Sequence, residues 1–126
     1  MIMKKEPNYP LYVVNEKKKA VSCKIKTRGR FFVGVAKCHD DDVFDIEKGK
    51  DIAYNRCRLE INKFILEQDR MVEDTIKSII TQCDEYDLGK VRSKAWDCYL
   101  DDIRGRIDQR RLFINQIKDT LDDLLK

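Results

Sequence analysis

Four arginines fall close together near the C-terminal end, Arg104, Arg106, Arg110 and Arg111, with Phe113 and Asn115 within about a helical turn of them. A second group, Tyr54, Asn55, Arg56 and Arg58, lies near the middle of the chain, and Arg28 precedes Gly29 in a lysine- and arginine-rich segment. Guanidinium forks match phosphate oxygens bidentately. Aromatic faces stack on bases, and a carboxamide can read an adenine edge. Together these residue types suit the binding of a nucleotide anion. Taken singly, such an arginine is more often a solvated helix residue, paired one turn away with a carboxylate such as Asp101, Asp102 or Asp108. Gly105 can permit close approach of a ligand or partner helix, or be a tolerated surface glycine at about 1 kcal/mol relative to alanine.

The chemistry of turnover is much less visible. No P-loop, dinucleotide fingerprint, nucleophile elbow or H-E-x-x-H is present. His39 is the sole histidine, beside Cys38 and the acidic run Asp40 to Asp42. One histidine, one cysteine and an acidic loop do not complete a four-ligand zinc site. Adjacent Cys and His on a strand point to opposite faces. The expectation is a binding protein without catalytic residues, metal or cofactor.

These residues must be held by something. Leu11 to Val14 is a short β-rich run, and Asn15 to Lys19 is a polar turn. Val21, Cys23 and Ile25 alternate with Ser22, Lys24 and Lys26, which has the period of a half-buried strand. Thr27 to Arg30 reads as a hairpin turn, and Phe31 to Ala36 as a third strand. Asp45 is placed to cap a helix, with Glu47 in its first turn. From Lys50 to Tyr86 there is neither glycine nor proline, Asp87-Leu88-Gly89 breaks the pattern, and a second helical stretch runs from Val91. The fold class predicted is α+β: an N-terminal antiparallel three-stranded β-meander (1–44, with its acidic loop) followed by a long antiparallel two-helix hairpin (45–126, turning near 87–90), in a single domain. Helices of roughly 35–40 residues are longer than three strands can cover. An oligomer is therefore expected.

Charge is unevenly placed. Residues 1–37 hold ten Lys/Arg and two Asp/Glu, a net +8, while the remainder carries −5. A basic sheet beside an acidic helical body suits an anionic ligand, or equally a lysine-guarded sheet edge. The five cysteines show no C-x-x-C spacing, which argues against a disulfide framework and for a reducing compartment. No apolar run is long enough to span a membrane and the N-terminus lacks an apolar signal core, so a cytoplasmic protein is expected.

The second helix carries a heptad: Trp96, Leu100, Ile103, Ile107, Arg110, Ile114, Ile117, Leu121 and Leu124, apolar except at Arg110. The first carries Ile61, Ile65, Gln68, Val72, Ile76, Ile79 and Cys83, strongly polar only at Gln68. Folded back at 87–89, antiparallel partners have residue numbers summing to 178 or 179, which puts Gln68 and Arg110 in one layer. Such a layer can fix register, or Arg110 can snorkel outward. It can also present a guanidinium to an anion, since a buried cation needs a partner.

The run Gly34-Val35-Ala36-Lys37-Cys38-His39-Asp40-Asp41-Asp42-Val43-Phe44-Asp45, then Ala53-Tyr54-Asn55-Arg56-Cys57-Arg58, then a helical hairpin, resembles the phage Thoeris anti-defence protein 1 family. The resemblance covers the chain in architecture. It implies a sponge that binds cyclic ADP-ribose isomers made by host TIR enzymes without cleaving them, in the cytoplasm of an infected bacterium. It further implies pockets between protomers and assembly of dimers, and some family members also capture cyclic oligonucleotides at a separate site. None of the family's ligand contacts is assigned to a numbered position here. Two other functions compete. One is a nucleic-acid-binding module using Lys17–Lys19, Lys24–Arg30, Phe31 and Phe32, although the helix that precedes the strands of a double-stranded-RNA-binding domain is missing. The other is a protein-interaction module using the helical seam.

Overall fold

In the computed structural model of the chain, residues 10–39, 41–85 and 90–126 are described, with side chains in the last run from 94 onward. The fold is α+β: a three-stranded antiparallel sheet in the order β1-β2-β3, then two helices. The strands are β1 (Leu11–Asn15), β2 (Ala20–Thr27) and β3 (Arg30–Lys37), and the helices are α1 (Ile46–Glu85) and α2 (Lys90–Leu124). The two prolines, Pro7 and Pro10, predict an extended lead-in over 1–10; its first nine residues and the reversal at 87–89 lie outside the described residues. The chain gathers into two compact units, Met1–Ile61 with Gln116–Lys126, and Asn62–Asn115. Both helices contribute to each.

In the first unit, alternation decides which sheet face is covered. Val21, Cys23, Ile25, Phe32 and Ala36 are buried, while the residues between them face outward. Arg28 and Gly29 both take positive φ, 53° and 71°, giving a two-residue turn whose twist matches the strands it joins. Asp45 caps α1 as expected, its Oδ1 accepting the Lys48 amide at 3.1 Å.

The buried face meets α1 at unusually short range. A Cβ on Gly34 would overlap the Ala53 carbonyl oxygen and the Cys57 amide nitrogen. Gly49, Ala53 and Cys57 recur every four residues on α1, so one narrow, small-residue ridge lies along β2 and β3. Cys57 is fully buried, and its thiol donates to the Phe32 carbonyl at 3.1 Å. Arg56, one residue earlier, sends Nη1 to the Val35 carbonyl at 2.7 Å. In this hairpin register Val35 is a position whose carbonyl points away from β2, so Arg56 satisfies the outer edge of β3. β1, at the opposite edge, is exposed along all five residues.

In the second unit, the α2 heptad is as expected: Leu100, Ile103, Ile107 and Ile114 are buried. Ile76 of α1 joins Leu100, Ile103 and Ile107 in one cluster, with Leu66, Ile80 and Trp96 packed against it. The α1 stripe differs from expectation at Val72, which is 46% exposed. Glu73 takes the inward position instead and pairs with Arg104 at 3.4 Å and Lys77 at 3.5 Å. The reason is an apolar arc wider than one seam. Ile65–Leu66 and Ile79–Ile80 are adjacent apolar pairs, so two helical phases fit the sequence, and the Glu73 ion pairs occupy the layer that Val72 vacates. Among the described residues, no helix is long and apolar enough to cross a membrane.

Gly34→Ala should lower stability by about 3 kcal/mol or more, because the clash is with backbone on both sides; a urea midpoint near that of the wild type would contradict the close approach. Burial pushes the Cys57 thiol up from 9.0 to about 11. The unfolded chain therefore loses this proton first, and stability should be intact below pH 9 and fall as pH rises towards 11. Denaturant titrations across that range should show a smaller fall in Cys57→Ala.

Candidate functional site

The arginine cluster divides once it is placed on α2. Arg104 is taken up by Glu73, and Arg111 lies 4.0 Å from Asp108 one turn away. Arg106 and Arg110 remain without a carboxylate partner among the described residues, and both line an open groove of about 480 Å³ with Asp102, Gly105 and Gln109. Two guanidinium groups against one carboxylate leave that groove net positive. A Cβ on Gly105 would meet nothing within 4 Å, so the glycine is not required by packing within the chain.

Arg110 is the pivot of this groove. It is half-buried, and its Nη1 donates to Asn62 Oδ1 at 2.8 Å. Its Nε is buried with no hydrogen-bond partner among the described residues. Leaving a donor in that state costs about 1–3 kcal/mol. The guanidinium also stands 5.7 Å from the centre of the Phe113 ring, a cation–π contact. The polar partner read from the heptads was Gln68; the hydrogen bond observed goes to Asn62, six residues earlier on α1, with Gln68 half-buried on the same helix. Six residues correspond to about 9 Å of helix, a displacement that long side chains on facing helices can bridge. Asn115 is exposed on α2.

The remaining candidates belong to the first unit and serve largely structural roles there. Asn55 is 7% exposed, donates to the Asp51 carbonyl at 2.8 Å and accepts from Arg58 Nη1 at 3.5 Å. Arg58 in turn lies 5.6 Å from the Tyr54 ring centre. Arg56 is committed to Val35. Arg28 is exposed in the hairpin turn. The structure therefore brings Arg106, Arg110 and Phe113 together, and separates them by unit from Tyr54, Asn55, Arg56, Arg58 and Arg28.

Asn62 and Gln109 are the seam and groove residues that sequence reasoning missed, and Asp102, read only as a carboxylate partner for a helix arginine, lines the groove. Asn62 directly follows Ile61 of the predicted stripe, so a shift of helical phase would have exposed it as a seam position. The same unit holds a second open depression of similar size, lined by Met71, Val72, Thr75, Ile79, Trp96 and Tyr99. The Trp96 and Tyr99 rings are 5.6 Å apart and tilted by 50°. Around His39, Nδ1 accepts the Asp41 amide at 3.3 Å, and no group of three His, Cys, Asp or Glu among the described residues could hold a metal ion.

No protein-family model, curated protein or solved structure matches the chain.

Gly105→Ala should raise stability by about 1 kcal/mol, since it adds helix propensity without a clash inside the chain. Thermal or denaturant unfolding at low protein concentration checks this, and a loss of stability would mean that the groove floor is already filled.

Proposed function

We propose that the protein is a non-catalytic phage anti-defence sponge that sequesters cyclic ADP-ribose-type signalling nucleotides in the cytoplasm of an infected bacterium and so blocks Thoeris immunity. The observation that carries this reading is Arg110. It is a seam guanidinium with one donor spent on a neutral amide and another unpartnered, set over an aromatic ring and beside Arg106 and a glycine-floored groove. A pyrophosphate supplies the acceptors that such a pair lacks, and an adenine supplies a flat face for Phe113. Sequestration needs no general acid, base or nucleophile, and the groove offers only arginine, amide and a single carboxylate.

The proposal includes a homo-oligomer. The depression containing Val72, Ile79, Trp96 and Tyr99 is apolar and open, and like the arginine groove it is lined in part by α2. Helices of two protomers meeting there would place Arg106 and Arg110 of both chains near one ligand. The resemblance in the β3-to-α1 run and in the helical hairpin supports the same reading.

The test is direct. The purified protein is incubated with cyclic ADP-ribose isomers, washed by filtration and heat-denatured, and the released molecules are weighed by mass spectrometry. The expected result is recovery of an intact isomer at a fixed ratio to protein. Arg110→Leu should retain stability to within about 1 kcal/mol, because the apolar seam becomes continuous, and should release no ligand. Recovery of a cleaved product would make the protein an enzyme, and full binding by folded Arg110→Leu would remove Arg110 from the site.

A further inference from the structure

The sheet has a second face that the nucleotide reading does not use. Cross-strand register places Leu11, Lys24 and Val33 in one row and Val13, Ser22 and Val35 in the next, with Lys26 opposite Phe31. These side chains point away from the face buried on α1. Leu11, Val13, Phe31, Val33 and Val35 are 48–65% exposed. The small Ser22 of β2 lies between Val13 and Val35, which makes a shallow apolar dip there, while Lys24 stands between Leu11 and Val33 in the next row. Strands lie about 4.8 Å apart, which makes the distance from β1 to β3 about 10 Å, the diameter of an α-helix.

The charge on this face is of one sign. Its positions include Lys24, Lys26 and Lys37 and no acidic residue. The Lys24 and Lys26 ammonium groups stand 4.1 and 5.4 Å from the centre of the Phe31 ring. The segment 10–37 as a whole has eight basic residues and one acidic residue.

We infer that the outer face of the β1-β2-β3 sheet docks an acidic amphipathic helix of a partner protein. The helix lays its apolar stripe over Ser22, against Val13 on one side and Val35 on the other, and turns carboxylates towards Lys24 and Lys26. A single-stranded nucleic acid fits less well. Its bases need ring faces to stack on, and the walls here are aliphatic, with the one ring already engaged by lysines. The same sheet face of a second copy is disfavoured by its like charge.

The test uses the full chain and two fluorescein-labelled synthetic helices of about 18 residues, or five turns, with one leucine stripe and either a glutamate or a lysine polar face. Anisotropy titration should show binding of the glutamate helix, weakened about tenfold or more by Val35→Asp. Val35→Thr, which keeps strand propensity, should weaken binding in the same direction if the aspartate variant folds poorly. The double variant Lys24→Glu/Lys26→Glu should reverse the preference towards the lysine helix. Equal binding of both helices, or an unchanged preference after charge reversal, would overturn the inference. So would competition by labelled oligothymidine that depends on Phe31, which would assign the face to nucleic acid. Concentration-dependent self-association abolished by Val35→Asp in sedimentation would assign it to a second copy, and would equally overturn it. None of these variants touches Arg106 or Arg110, so nucleotide capture should persist whichever result is obtained.

Discussion

Everything in the first unit depends on a strand and a helix approaching until their backbones touch. Three antiparallel strands with one apolar face have no independent stability in water and need a cover. Here the cover is α1, and the contact is made where Gly34 offers no side chain and Ala53 and Cys57 offer little. The short distance lets the Cys57 thiol reach the Phe32 carbonyl and the Arg56 guanidinium reach Val35. Arg56, whose residue type suits an anion, is thereby used to fasten the sheet. The run from Tyr54 to Arg58 is rich in binding chemistry on paper and is mostly spent on holding this unit together.

In the second unit the constraint is of another kind. An almost wholly apolar α2 heptad is interrupted once, by Arg110, and the neighbouring polar groups adjust around it. Asn62 accepts one of its bonds and Phe113 lies across its face. Glu73 and Arg104 form a separate polar link, which leaves Val72 on the outside. A guanidinium kept half-buried beside a neutral amide is costly for stability alone. That imbalance is why the groove at Gly105 and Arg106 stands out from the many other charged helix positions.

Much of the fold was legible in the sequence because its signals were periodic. Alternation across Val21, Cys23 and Ile25 identified a strand and its buried face. The 4-3 spacing of α2 identified Leu100, Ile103, Ile107 and Ile114 as inward positions, and Asp45 marked a helix start. The phase of α1 was not legible, since adjacent pairs such as Ile79 and Ile80 satisfy two stripes equally well. Only a cross-helix ion pair, Arg104 with Glu73, decides between them. The Asn62 bond to Arg110 was not legible for another reason, since the long side chain of Arg110 reaches about 9 Å along α1 from the Gln68 layer. The backbone approach at Gly34 was hidden as well: glycine in a strand signals freedom or closeness, and sequence alone does not say which. Grouping arginines by proximity along the chain could not tell that Arg104 and Arg111 are paired with carboxylates while Arg106 and Arg110 line a groove together.

The two edges of the sheet are finished differently. On β3, Arg56 occupies the outward carbonyl of Val35, so a newly arriving strand would have to displace a charged hydrogen bond. On β1, Leu11 to Val14 carry no charge and their side chains are exposed. An incoming strand would therefore meet a charged hydrogen bond at the β3 edge and an uncharged run at β1, so edge-to-edge pairing is guarded by chemistry on one side of the sheet.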